Sequence, residues 1–329
     1  MNHKQHLALI QKYFPETDLI SVEEFSLFDN EDFALKAFEY ISRAIDNINS
    51  KFEFQTHFSF RFNINFNAKA WKFKDVNIIM LNHSIINDLE PIIKESISIF
   101  LKENFTKASG FPIEEDVLLE LFIYLTISYL FFHELGHIIQ FNSIPKEESS
   151  SEFNESSQYE SPYLEKNHVY EIDADLFGVS VGSILILQYL EENRIKLNLS
   201  ILFNLVTLYA LIISNIFIEF ANKFERIYFK ESAYPHPIIR TRFCIEQILN
   251  LVQENITIHE EYFNMIENRY LLLLNEMRKH KDTEFDYLSL LKENEENIIK
   301  YMDEIEKTND NYPELTRHKA QEIYDLIGI

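Results

Sequence analysis

Cysteine is nearly missing from this 329-residue chain: Cys244 stands alone, so no intramolecular disulfide can form, which is compatible with a reducing compartment. Basic residues are also scarce. Thirty Lys and Arg face 53 Asp and Glu, a formal charge of −23. Nucleic acid and anionic membrane surfaces both require a basic footprint, so neither is expected as a partner. The sequence has no G-x-S-x-G elbow, no Walker loop, no dinucleotide-binding glycine fingerprint and no C-x-x-C pair, which removes the signatures of serine hydrolases, P-loop enzymes, Rossmann dehydrogenases and thiol oxidoreductases. No secretory signal is read in Met1-Asn2-His3-Lys4-Gln5-His6 and the broken apolar stretch after it. The best membrane-span candidate, Ile201–Phe220, is interrupted by Asn204, Asn215 and Glu219 and lacks a basic flank. A buried helix is the expected reading of that segment, and a cytoplasmic protein without a membrane span the expected reading of the chain.

Glycine is rare too. There are five, and three of them, Gly136, Gly178 and Gly182, fall on two segments that also carry unusual polar residues. Since glycine costs about 1 kcal/mol against alanine inside a helix, their placement implies backbones in close approach. The first segment contains His133-Glu134-Leu135-Gly136-His137, an H-E-x-x-H run entered through an apolar stretch at 117–132. Histidines at i and i+4 share one helix face and can reach one Zn²⁺. The second segment, Glu171-Ile172-Asp173-Ala174-Asp175, begins 34 residues after His137 and places Glu171 and Asp175 on one face. Zinc in a hydrolytic site takes three protein ligands and one water, so Glu171 is the candidate third ligand. Asp175 is the candidate partner for the far nitrogen of a ligand histidine, with direct ligation as its alternative role. Glu134, adjacent to the metal and not aimed at it, is the candidate general base.

These residues resemble the gluzincin metallopeptidases, in the branch with H-E-x-x-H followed by E-x-x-x-D. Asn67-Ala68-Lys69-Ala70-Trp71 and Val76–Asn82 look like the strand pair that precedes the zinc helix in those enzymes, and His236-Pro237-Ile238-Ile239-Arg240-Thr241-Arg242 is similar to their H-P-P-x-x-x-R run, with Ile238 in place of the second proline. The likeness spans about residues 50–255 and lies nearest to the phage-exclusion peptidase Lit family. Membrane-bound relatives of the CaaX-endopeptidase and HtpX types carry the same elements among spanning helices. The repressor-cleaving ImmA/IrrE-type peptidases share H-E-L-G-H but precede it with R-F-T-x-A, which is absent here. The resemblance implies a zincin-like core, a protein or peptide substrate and activity that waits on a protein trigger. His236 then becomes a candidate donor to the developing oxyanion, or else a histidine held in the Pro235/Pro237 turn. Arg240 or Arg242 would anchor that turn to a carboxylate.

Periodicity supplies the architecture. Residues 31–49 repeat apolar positions at helical spacing, and Phe52, Phe54, Phe58, Phe60, Phe62, Ile64 and Phe66 alternate with polar residues, the pattern of a half-buried antiparallel strand or hairpin. Val76–Asn82 is a further strand and the expected edge for an added peptide. Helical patterns follow at about 88–104, 115–141, 169–191, 198–222 and 237–254. The expected fold is α+β, mostly helical, with a small antiparallel sheet, an H-E-x-x-H helix and a second helix bearing Glu171. It divides into a metallopeptidase domain over 1–255 and a C-terminal helical extension over 256–329, striped by Leu288, Leu291, Ile298, Met302 and Ile305. Residues 142–167, rich in Ser, Glu and Asn, read as an acidic loop that is either a lid or a tolerated insertion. His168, at its exit, is expected to face solvent. A zinc-containing protein without catalysis, acting through its C-terminal helices, is the alternative function, and retention of Glu134 beside the ligands favours the enzyme.

Overall fold

The computed structural model describes residues 3–28, 31–64, 67–73, 76–103, 106–107, 111–143, 162–193, 199–221, 226–255, 260–280 and 287–327. Most of the acidic loop, 144–161, therefore lies outside the described residues. The chain is α+β and mostly helical, built as α1 (His3–Tyr13), β1 (Leu19–Ile20), α2 (Glu31–Lys51), β2 (Gln55–Arg61), β3 (Ala68–Phe73), β4 (Val76–Asn82), α3 (His83–Lys102), α4 (Glu115–Ser143), α5 (Glu165–Glu192), α6 (Leu199–Ala221), α7 (Pro237–Asn255), α8 (Glu260–His280), α9 (Tyr287–Thr308) and α10 (Ala320–Ile327). Short 3₁₀ turns lie at Val22–Leu27, Asn309–Asn311 and Arg317–Lys319.

The sheet corrects two expectations. Its order is β1-β2-β4-β3, and it is mixed: β2 runs parallel to β4, with Phe58 opposite Ile79, while β3 and β1 pair antiparallel to their neighbours. Consequently β4 is an interior strand and β3 forms the edge. The phenylalanine alternation also marks a shorter strand than expected. Thr56 to Phe60 are all buried, because α2 packs on one face of the sheet and α1 on the other. Phe58 and Phe60 enter the main core, whereas His57 meets His6 of α1, their Nδ1 atoms 3.1 Å apart. Ile10, Ile78 and Met80 make a small second core beneath α1.

Two long helices hold the centre. α4 has 29 residues, roughly 44 Å at 1.5 Å per residue, and it is buried without interruption from Leu125 to Gln140. A helix apolar all round must be enclosed on every side, and here β3, α3 and α5 provide the enclosure. α4 and α5 run antiparallel in close contact, which requires glycine. A Cβ added at Gly178 would stand 2.8 Å from the Tyr129 carbonyl oxygen, and one at Gly182 would collide with the Tyr209 hydroxyl. The rare glycines thus mark backbone approach between the motif-bearing helices and α6. Among the described residues two helices, α4 and the Leu199–Ile218 part of α6, are long and apolar enough to cross a membrane, and the apolar window of the second is 94% buried inside the protein.

The segment after residue 260 shares the main core: Ile266, Tyr270 and Leu274 of α8, Ile298, Met302 and Ile305 of α9, and Ile323 and Tyr324 of α10 are all part of it. Between α9 and α10 the chain returns to α5, placing Thr316 and Arg317 against Asp173.

Candidate metal centre

The apolar first half of α4 drives the second half into the interior, and His133, Glu134 and His137 go with it. Each is no more than 8% exposed. α5, locked alongside by its glycines, brings Glu171 to the same point. Ligand atoms of His133, His137 and Glu171 lie within 4.8 Å of one another, a buried group that could hold a metal ion. His137 Nε2 is 3.3 Å from Glu171 Oε1, and His133 Nε2 is 3.8 Å from Glu171 Oε2. Four-coordinate zinc with bonds near 2.1 Å separates its ligand atoms by about 3.4 Å, so these distances fit such an ion.

Hydrogen bonding decides which imidazole nitrogen faces the group. His133 Nδ1 lies 2.9 Å from Asp175 Oδ1, too poorly aligned for a full hydrogen bond but close enough for the carboxylate to favour the proton on Nδ1 and leave Nε2 its lone pair. Asp175 is itself fully buried, accepting from Tyr129 Oη at 2.9 Å and from Arg240 through Nε at 2.6 Å and Nη2 at 2.8 Å. Arg240 also reaches Glu171 Oε2 at 3.2 Å and stacks over Phe217. It is therefore Arg240 that ties the His-Pro turn to a carboxylate, while Arg242 pairs with Glu246 and Glu267.

His137 is oriented differently. Gln140 Nε2 donates to the Tyr170 carbonyl at 3.1 Å and to Asp173 Oδ2 at 2.8 Å, which leaves Gln140 Oε1 facing His137 Nδ1 at 3.0 Å. The amide nitrogen is committed to two acceptors, so its oxygen must accept from Nδ1–H, and His137 Nε2 is the nitrogen that faces Glu171 and would bind a metal in place of its proton. Sequence reading passed over both Gln140 and Asp173. The signal available for Asp173 was its place between Glu171 and Asp175.

Charge in the cluster favours a cation. Burial alone would lower the His137 pKa, but the Glu171 and Glu134 carboxylates and Gln140 overcome it and hold the imidazole at about 9. Burial would raise Glu171 and Asp175. For Glu171, His137 and Arg240 outweigh it; for Asp175, Arg240 and His133 do so, and both carboxyls stay below the usual range. The cleft above is walled by Lys69 and Ala70 of β3, Glu134, His137 and Phe141 of α4, Asn167, Tyr170 and Glu171 of α5, and Tyr234.

Two other histidines are buried outside the His133–His137–Glu171 group. His236 is fully buried at the start of α7, its Nδ1 accepting from the Ile238 N–H at 3.1 Å and its ring edge-on to Tyr228. Tyr234, two residues earlier, reaches the cleft wall. His168 is fully buried as well, correcting its expected exposure: one nitrogen faces the Ser232 carbonyl at 2.9 Å and the other bonds Tyr301 of α9.

Burial is the largest cause holding His57, His168 and His236 at pKa values of about 4. An unfolded chain takes up protons near 6.5, while the folded one resists until about 4. These groups therefore leave stability unchanged above pH 6.5 and remove it as pH falls from 6.5 toward 4, by up to roughly 4 kcal/mol per pH unit for three protons. The urea midpoint should drop between pH 7 and pH 5, and His57→Gln should flatten the acid slope. Equal midpoints at pH 7 and 5 would contradict the assignment of three neutral buried histidines.

No family model, curated protein or solved structure matches this chain.

Proposed function

We propose that this chain is a zinc-dependent endopeptidase with a gluzincin-type, zincin-like core, nearest in character to the phage-exclusion peptidases of the Lit family, acting in the cytoplasm on a protein substrate. The observation that carries the reading is the convergence of His133, His137 and Glu171 with Glu134 at the same cleft. A bound zinc ion supplies a water of lowered pKa and polarises a substrate carbonyl. The rest falls to the side chains. Glu134 takes the proton of the attacking water and returns it to the leaving amine. Asp175 and Gln140 keep the two imidazoles in the ligating tautomer. His236 caps α7 through Ile238, so the oxyanion is better assigned to a donor on the cleft wall, where Tyr234 and Lys69 stand. An extended peptide adds to β3, the edge strand whose Lys69 and Ala70 border the cleft.

A cytosolic protease that is always open would be toxic, and the resemblance to phage-exclusion enzymes implies activity released by an infection-linked protein. The test is a comparison of protein N-termini in phage-infected cells expressing the wild type or Glu134→Gln. New N-termini from one host protein, seen with the wild type alone, are the expected result. Identical N-termini in both would reject the peptidase and leave a zinc-containing interaction protein.

A further inference from the structure

Asp173 is fully buried on α5, two residues from both Glu171 and Asp175 yet turned away from the cluster, toward the chain between α9 and α10. Its carboxylate accepts four bonds from that segment: Thr316 N–H at 2.7 Å, Thr316 Oγ1 at 2.8 Å, Arg317 N–H at 2.9 Å and Arg317 Nε at 3.1 Å. A fifth comes from Gln140 at 2.8 Å, the side chain that sets the His137 tautomer. We propose that the segment Asn309–Lys319 is a strap that holds the second metal-binding histidine in place through Asp173 and Gln140, making Gln140, Asp173 and Arg317 positioning residues of the site. This rests on the metal reading of the His133–His137–Glu171 group.

The physical argument is one of polar satisfaction. A carboxylate in an apolar interior is tolerable only while its oxygens are bonded. Without the strap, Asp173 keeps Gln140 alone, and the charge must hydrate or move. Either change frees the Gln140 amide to turn, and a turned amide presents N–H to His137 Nδ1. That favours the opposite tautomer, in which the proton sits on the nitrogen meant for the metal. The strap also reaches the cleft wall itself. Glu314 accepts from the Tyr170 hydroxyl, the Tyr312 ring lies edge-on to Tyr170, and Arg317 continues to Asn309 at 3.2 Å, closing the strap on itself. Residues more than 140 positions downstream of Asp173 in sequence thus govern a metal-binding histidine through Asp173 and Gln140.

The experiment is zinc competition against a chromophoric chelator, with the visible spectrum of the Co²⁺-substituted protein as a second readout, on the full chain. The panel is the wild type, Gln140→Ala, Arg317→Ala and the double variant. Changes outside the ligand set that orient a ligand histidine typically weaken metal binding 10- to 100-fold, so each single variant should lose about that much, with a shifted cobalt spectrum. In the Gln140→Ala background Arg317→Ala should cost little more, because the relay is already cut. Wild-type affinity in both single variants would overturn the proposal, as would an equal loss from Arg317→Ala in both backgrounds, which marks general loosening of the fold. If Arg317→Ala does not fold, Arg317→Lys replaces it; the charge remains but the Nε bond and the Asn309 contact go, and the same non-additivity is required. Failure of the wild type to bind zinc at all would instead reject the metal reading itself.

Discussion

Glu134→Gln should retain zinc and lose turnover by about 10²- to 10⁴-fold, the usual worth of a positioned general base. Glutamine matches the size of the side chain it replaces, which matters because Glu134 is buried and borders the cleft. Its carboxylate oxygen lies 3.9 Å from His133 Nε2, beside the ligand group and not within it. The amide cannot accept a proton from water, so the loss should fall on kcat, while KM and metal content move little. Metal analysis and single-turnover cleavage of the substrate found from the N-terminal comparison would separate the two effects. Cleavage at the wild-type rate would remove Glu134 from the mechanism.

The second large effect concerns the ligands. Purified wild type should carry about one zinc per chain, as expected for a site with three protein ligands and one open position. His133→Ala and Glu171→Ala should each bring that to near zero. The consequences for the fold differ. Removing His133 leaves Asp175 bonded to Tyr129 and Arg240, so the polar network survives. Removing Glu171 takes away one of the two carboxylates that neutralise half-buried Arg240, leaving its bidentate bond to Asp175 as the remaining pairing. Glu171→Ala should therefore unfold more readily than His133→Ala even with both metal-free. The comparison is thermal unfolding after chelation. Full zinc occupancy in either variant would refute this ligand set. Equal stability of the two would refute the role given to Glu171 beside Arg240.

The local parts of this site were legible before any coordinates, because they follow from helix geometry. Spacing of i and i+4 puts His133 above His137 and Glu171 above Asp175, whatever surrounds them. The apolar run before His133 demands a buried helix, and glycines placed where helices disfavour them announce close packing. Net charge, cysteine usage and the division between a strand-bearing first third and a helical remainder are equally properties of composition and period.

What only the tertiary structure decided was which distant groups meet. A period of two identifies a strand but carries nothing about its neighbour. Strand order therefore placed β4 inside the sheet and β3 at its edge, and α1 covered the face of β2 that alternation had left to water. His168 and His236, polar residues near turns, became interior because Tyr301, Ser232 and Ile238 offered their nitrogens partners. Above all, Asp173 looked like a spare acid between two useful ones. Its meaning comes from Thr316 and Arg317, and bonds across such a separation leave no periodic trace. Sequence alone determines the faces that helices present, since backbone geometry is local; which faces are pressed together is settled by the burial of the whole chain.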